Sequence, residues 1–342
     1  MIRIHIAGDY GHRQPLAYAP IQALTAGALE LTDDPGAADL VLIAHPRDLD
    51  THGDALRAGL GAHQRLVLFS EEPFWDTIWG GDPFRRDQIH DTARGPLPYT
   101  WLNHFTSPVF AFDRIPYFLL TDRSYFNRYA LRFAQNAARG AAHWQAHFDR
   151  SRDIVFMAEK RRNEKFDRAF EGHDVFGLSA RRTRIALACI EAGLDVTCRG
   201  HGWEGNVQRS DLRDWHMEKL LELDGAVRVL SAIENTHAAP YVTEKLFDAF
   251  AVGGWPLYIA GPDHRVRDLV PEGSWLNLYG LSPEDAAAAV AALTPDPAAY
   301  AEAQARLAAL FTIRNLVSEQ ERLHAALLAE LPALCEQSPT LV

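Results

Sequence analysis

The chain has 342 residues, 47% of them hydrophobic and 23% charged, with a formal net charge of -11. That is enough apolar material for two ordinary domains with full cores, and an acidic balance excludes nucleic acid as the main partner, since a phosphate backbone needs a cationic face. Cys189, Cys198 and Cys335 are odd in number and form no Cys-x-x-Cys pair, which excludes a disulfide framework and a zinc knuckle and implies reduced thiols.

Strand-like runs alternate with helical stretches from the first residue, the pattern of parallel sheets with helices on both faces. Residues 2 to 7 read as a strand and lack the layout of a signal peptide, and no run reaches about 18 uninterrupted apolar residues. The expectation is a soluble cytoplasmic protein. Residues 38 to 44, 65 to 69 and 99 to 105 give three more strands. The four end in Gly8-Asp9-Tyr10-Gly11-His12, His45-Pro46, Ser70-Glu71-Glu72-Pro73 and Thr106-Ser107-Pro108. In an open parallel sheet, such loops at the carboxyl ends of strands line the ligand crevice. Glu71 and Glu72 follow a buried strand, so at least one should project over the sheet edge, and two adjacent carboxylates raise each other's pKa. Residues 80 to 98 have no clear period and are expected to form a long loop over a bound acceptor. The run from 118 to about 147 reads as helical.

A fresh strand at 153 to 157 opens the second half. Next come a helix near Arg182 to Gly193, with Arg181, Arg182 and Arg184 expected just before it, and a strand at 195 to 198 leading into Gly200-His201-Gly202. Residues 227 to 233 are apolar enough for a central strand. Beyond its polar end, Thr243 is a good N-cap for a helix whose Leu246, Phe247 and Phe250 face a core and which ends at Gly253-Gly254. A helix N-terminus offers unpaired N–H groups and a positive dipole end, and Lys245 adds a full charge in the first turn, a combination that suits a diphosphate. Glu244 repels a diphosphate; it points about 100° away from Lys245, so its natural target is a neutral diol such as ribose hydroxyls. Ser282-Pro283 and Asp296-Pro297 each give a cap followed by proline at the first helical position. Leu316, Leu323, Leu327 and Leu331 stripe a final helix that is expected to return to the first domain. His12, His45, His104 and His201 sit at strand ends, yet none has a spacing such as His-x-x-x-His, so no metal site is expected.

The stretch Glu234-Asn235-Thr236, Tyr241-Val242-Thr243-Glu244-Lys245, Pro256-Leu257-Tyr258-Ile259 and Gly261-Pro262 resembles, in order and spacing, the donor-site signature of glycosyltransferase family 10, the alpha-1,3/1,4-fucosyltransferases. The likeness is strong over residues 227 to 293 and scattered elsewhere. It implies an α/β fold of the GT-B type, two Rossmann-like domains with parallel sheets facing across a cleft. The expected division is 1–148 for the acceptor-binding domain, 149–312 for the donor-binding domain and 313–342 for the C-terminal helix. The implied activity is inverting transfer of L-fucose from GDP-beta-L-fucose to a glycan hydroxyl, with an alpha-1,3-type linkage. Leu68-Phe69-Ser70-Glu71-Glu72 is similar to the family stretch that holds its proposed base, which maps onto Glu71. The family places one arginine on the diphosphate at a helix start; Arg182 is favoured by spacing and Arg184 is second. Asn235 and Tyr241 match further nucleotide-sugar contacts, and Phe112-Asp113-Arg114-Ile115-Pro116-Tyr117 matches a segment whose role would be architectural or acceptor-facing. The resemblance implies no metal and no cofactor beyond the donor. It also implies a glycan or lipid-linked glycan acceptor, reached by transient contact at the inner face of the membrane. Residues 330 to 342 are short and acidic, so the basic amphipathic tail of some bacterial members is not evident. Oligomeric state is unspecified.

Three alternatives compete. An inverting GT-B transferase could use a different nucleotide sugar, since diphosphate and ribose contacts do not dictate fucose. Asp48-Leu49-Asp50 satisfies the Asp-x-Asp pattern of a metal-dependent GT-A transferase, although a divalent ion would make the Lys245 site redundant. A non-catalytic sugar-nucleotide-binding protein would leave the carboxylate pair without a purpose.

Overall fold

The computed structural model describes residues 1–151, 153–203 and 212–336. The chain divides into two compact units, Met1–Arg123 with the chain from Leu316 on, and Ser124–Asn315. Residues 337 to 342, the last part of the acidic end, lie outside the described residues.

The first unit is built on β1 (Ile2–Ile6), α1 (Ala19–Thr25), β2 (Leu29–Leu31), β3 (Leu40–Ile43), α2 (Pro46–Gly59), β4 (Arg65–Phe69), α3 (Pro73–Ile78), β5 (Asp87–Thr92) and β6 (Gly95–Leu102). The sheet order is β2-β1-β3-β4-β6-β5, with every pair parallel except β5 with β6. Strand β3 is buried along its whole length, as expected of a central parallel strand. Its Val41 and Ile43 join Leu49, Leu66, Leu68, Leu97, Tyr99 and Trp101 in one core cluster.

Residues 80 to 98 are not the structureless loop expected. Most of them form a hairpin in which β5 pairs with β6 from Asp87↔Thr100 to Thr92↔Gly95. Strand β5 reads Asp-Gln-Ile-His-Asp-Thr and is nowhere fully buried, so it shows no apolar alternation; β6 carries Pro96 and Pro98, which an edge pairing tolerates. The final helix, Ile313–Glu336, also departs from its expected stripe. Its buried residues are Glu319, Leu323, Leu327, Leu331 and Leu334, so a carboxylate heads the apolar row while Leu316 is only half-buried. The Glu319 carboxylate accepts the backbone N–H groups of Asp113 (3.0 Å), Arg114 (2.9 Å) and Ile115 (3.3 Å) and pairs with Arg322.

In the second unit, α4 (Arg123–Ala137) and α5 (Ala141–Arg150) are separated by Gly140, which caps the start of α5. Then follow β7 (Asp153–Met157), β8 (Ala169–Phe170), β9 (Val175–Gly177), α6 (Ser179–Glu191), β10 (Val196–Arg199) and α7 (Trp215–Leu223). After these stand β11 (Val227–Ser231), β12 (Thr236–His237), α8 (Glu244–Ala251), β13 (Trp255–Tyr258), α9 (Val266–Leu269), β14 (Leu276–Asn277), α10 (Pro283–Ala291) and α11 (Pro297–Leu310). A parallel five-stranded sheet runs β10-β7-β11-β13-β14. A separate antiparallel sheet runs β12-β9-β8. Ser282 and Asp296 cap α10 and α11 with proline in the first turn, as their sequences require.

Candidate functional site

In the first unit the site is built on the loop after β4. The strand is buried to Phe69, so Ser70 and Glu71 emerge at the carboxyl end of the sheet before Pro73 starts α3. Glu71 does not project into solvent. It is only 8% exposed, and both carboxylate oxygens are held: Tyr18 donates its hydroxyl to Oε1 at 2.5 Å and Tyr117 to Oε2 at 2.9 Å. Burial raises the carboxyl's pKa to about 7; the two phenol bonds and the Arg13 charge pull it back down, and Glu72 adds a small push upward. The elevation expected from the neighbouring carboxylate therefore has a different main source, which is desolvation.

The strand-end histidines divide. His45 is buried as the N-cap of α2, its Nδ1 accepting the N–H of Arg47 at 3.0 Å, and burial with the nearby Arg47 charge lowers its pKa to about 4. Its ring packs against Tyr10 at 4.2 Å and Trp75 at 4.3 Å. His104 is half-buried with Nε2 3.0 Å from the Glu71 carbonyl, and desolvation lowers its pKa to about 3, so the imidazole is neutral. His12 and His201 are exposed. The two carboxylates of Asp48-Leu49-Asp50 do not converge. Asp48 is buried and accepts the N–H of Asp9 at 2.9 Å, tying down the turn after β1, while Asp50 lies near His90. Gly8 in that turn has φ +84°, and a Cβ there would stand 2.5 Å from the Asp48 carboxyl carbon, so only glycine fits. Asp9, Asp48 and His52 form a small acidic cluster with ligand atoms within 4.8 Å of one another.

In the second unit the candidate donor residues gather where β11 leaves the parallel sheet. Asn235 is the junction: its carbonyl accepts the N–H of Leu178 at 2.9 Å, which fixes the start of α6 beside it. The arginines lie inside the first turns of α6 rather than before it, because the helix begins at Ser179. Their side chains diverge. Arg182 turns in, is 6% exposed, and donates to Asn235 Oδ1 at 2.9 Å and to the Ile233 carbonyl at 3.3 Å. Arg184 turns out to an ion pair with Asp167, and Arg181 reaches the Leu281 carbonyl. A shallow hollow lined by Phe156, Ala158, Glu159, Arg182, Thr183 and Trp203 opens beside Arg182.

Glu234 is missing from the expected contact residues, yet it organises the segment. Buried at 2% exposure, its carboxylate accepts the Thr243 N–H (2.8 Å) and hydroxyl (2.7 Å), and it lies 3.2 Å from Lys245 Nζ. Burial raises its pKa, while the Lys245 charge acts in the opposite sense. Its own backbone carbonyl stands 3.5 Å from Arg182, so Glu234 is the link between the two cations. Thr243 caps α8 as the sequence requires, and Lys245 Nζ donates to its hydroxyl at 3.0 Å and lies 3.5 Å from Glu244. Glu244 and Tyr241 are buried at 6% and 3% exposure, so neither side chain is a solvated surface group. The signal for Glu234 was its place directly before Asn235 at the end of a buried strand. Further along α8, the buried Asp248 accepts the Tyr129 hydroxyl at 2.7 Å and pairs with Lys219 and His216; against the cost of burial, these partners hold its pKa down at about 2.

Comparison with known proteins bears on both units. Residues 178–337 match the family model described as glycosyltransferase family 10 (fucosyltransferase), C-terminal. An alpha-(1,4)-fucosyltransferase of Arabidopsis thaliana is 38% identical over 109 residues; the match spans 31% of this chain and only 25% of that protein's length. A crystal structure of an alpha1,3-fucosyltransferase superposes with a TM-score of 0.51 at 15% identity, covering 95% of this chain and 90% of that one. One of an alpha1,3-fucosyltransferase with GDP-fucose gives a TM-score of 0.44 at 14% identity, covering 89% and 81%. The two α/β units with their parallel sheets are thus of the GT-B class. Among the described residues, no helix is long and apolar enough to cross a membrane.

Proposed function

We propose, from the match of residues 178–337 to the family model of glycosyltransferase family 10, that this chain is an inverting transferase moving L-fucose from GDP-beta-L-fucose to a hydroxyl of a glycan acceptor, with an alpha-1,3-type linkage. The observation that carries the reading is the gathering of Arg182, Asn235, Glu234 and Lys245 at the capped N-terminus of α8, all within the matched region.

Transfer with inversion needs a base for the acceptor hydroxyl and positive charge for the departing diphosphate. Glu71, with a pKa of about 7, is close to half ionised at neutral pH and so suits the first task. In this reading it takes the hydroxyl proton as the acceptor oxygen attacks the anomeric carbon from the side opposite GDP. Arg182, whose planar guanidinium suits phosphate oxygens, and Lys245 balance the charge on the leaving group, helped by Asn235 and the open N–H groups of α8. Arg184, committed to Asp167, has no part in it. Glu244 faces the ribose and Tyr241 lines the donor pocket, both after local adjustment, since both side chains are buried here. These cations make a divalent ion unnecessary for leaving-group departure. The acceptor in this reading is a glycan or lipid-linked glycan.

Replacing Glu71 by Gln tests the base. Transfer should fall by about a thousandfold, within the range of about a hundredfold to ten-thousandfold that one positioned acid-base group supplies, while GDP affinity stays within about twofold because Glu71 lies outside the donor unit. Retention of transfer, or a large loss of GDP binding, would remove Glu71 from this role.

A further inference from the structure

Two tyrosines from separate parts of the first unit converge on one carboxylate. Tyr18 follows the turn Pro15–Ala17 and caps α1. That turn is rigid: Gln14 Oε1 accepts the Leu16 N–H at 2.8 Å, and Gln22 Nε2 donates to the Leu16 carbonyl at 2.8 Å, with Gln14 and Leu16 buried. Tyr117 opens the turn Tyr117–Leu120, just after the backbone at 113–115 that Glu319 binds. Tyr117 is buried, whereas Tyr18 is half-exposed. The carboxylate they hold therefore has one oxygen, Oε2, on a buried phenol and the other, Oε1, on a half-exposed one.

Building on the assignment of Glu71 as base, we propose that Tyr18 and Tyr117 are positioning residues that fix the Glu71 carboxylate and set its basicity, with Oε1 as the atom that receives the acceptor's proton. A carboxylate oxygen has two lone pairs, so Oε1 can accept the substrate hydroxyl while it keeps the Tyr18 bond. As the acceptor oxygen bonds the anomeric carbon, its proton passes to Oε1. The bond from that carbon to the diphosphate oxygen breaks with its electron pair on the diphosphate. The neutral carboxyl then returns the proton to solvent.

The physical need for two phenols follows from burial. Desolvation alone favours a neutral carboxyl, which is useless as a base, and hydrogen bonds to the charged form restore part of the ionised population. The groups facing Glu71 are Tyr18 and Arg13 from the segment after β1, Tyr117 from its own turn, Glu72 next in sequence and the neutral His104, whose Nε2 meets the Glu71 carbonyl. Arg13 also lies over the Trp75 ring at 5.6 Å. The two tyrosines alone touch the carboxylate oxygens among these groups.

The test is a carboxyl-carbon NMR titration of the full chain labelled with 13C-glutamate, with the Glu71 signal assigned by its loss in Glu71→Gln, beside the rate of GDP release from GDP-fucose in water as a function of pH. Removing one charge-assisted bond should raise the Glu71 midpoint by about one unit or more in Tyr18→Phe and in Tyr117→Phe. The acid limb of GDP release should move with it. A purely structural role would leave the midpoint in place. Should Tyr117→Phe unfold, the half-exposed Tyr18→Phe decides alone. An unmoved midpoint in folded Tyr18→Phe, with GDP release lost in Glu71→Gln, overturns the tyrosine roles only; native-rate release by Glu71→Gln overturns the base assignment beneath them.

Discussion

At the scale of single residues, Glu71 shows how a side chain can be legible while its environment is not. Its position after a buried strand was readable, because a chain leaving a parallel sheet must place its next polar group at the sheet's carboxyl end. The tyrosines' link to it was not: Tyr18 follows an irregular turn, and Tyr117, although in a segment that resembles the family's, sits 46 residues away with nothing in the sequence to tie it to Glu71. The same burial has a cost in stability. The folded pKa of about 7 lies above the ordinary value of 4.5, so the contribution of the protonated form is complete below pH 4.5 and is lost as pH rises through 7. The difference of about 2.5 units corresponds to up to about 3 kcal/mol. Glu71→Gln, which cannot ionise, should therefore melt above the wild type at pH 8 and lose that advantage at pH 4. Equal melting curves at both pH values would show that burial does not tax this carboxylate.

At the scale of elements, strand and helix patterns found the longer parallel strands and the caps of α8, α10 and α11, while the short parallel strands β2 and β14 and the parts that position the site escaped them. The small sheet of β8, β9 and β12 has strands of two or three residues, too short for any alternation to register, yet it pairs Thr236 with Gly177 and so sets α6 beside Asn235. Gly177 is required there, since a Cβ would stand 2.1 Å from the Phe166 carbonyl oxygen. The hairpin of β5 and β6 hid because the edge strand β5 carries charged residues and its partner β6 carries two prolines, so both look like loop. In the final helix a leucine stripe was visible, but the buried carboxylate at its head was not. Glu319 satisfies three backbone N–H groups of the segment that leads to Tyr117, and it pairs with Arg322. Glu319→Ala leaves these groups without their acceptor and should cost about 3 kcal/mol or more, read by chemical denaturation as a lower midpoint with an unchanged slope. A cost below about 1 kcal/mol would mean that water replaces the carboxylate there.

At the scale of the whole molecule, each unit follows the same plan: a parallel sheet whose carboxyl-end loops carry polar groups, Ser70 and Glu71 in the first unit, and Ala158 to Lys160 with Ile233 to Asn235 in the second. That repetition was legible from the alternation of elements along 342 residues. The choice of acceptor was not, because no segment of the first unit carries a motif that matches a particular acceptor. In the proposed reaction the second unit holds a guanosine diphosphate through protein cations and helix amides. Calorimetric titration with GDP, UDP and ADP in the presence of a chelator tests it most directly. GDP should bind without a divalent ion, at least about tenfold more tightly than UDP or ADP, and Lys245→Ala should weaken GDP binding by about tenfold or more in a folded protein, as expected for one charge-assisted contact. Binding that vanishes with the chelator, fails to distinguish the bases, or ignores the loss of Lys245 would contradict it.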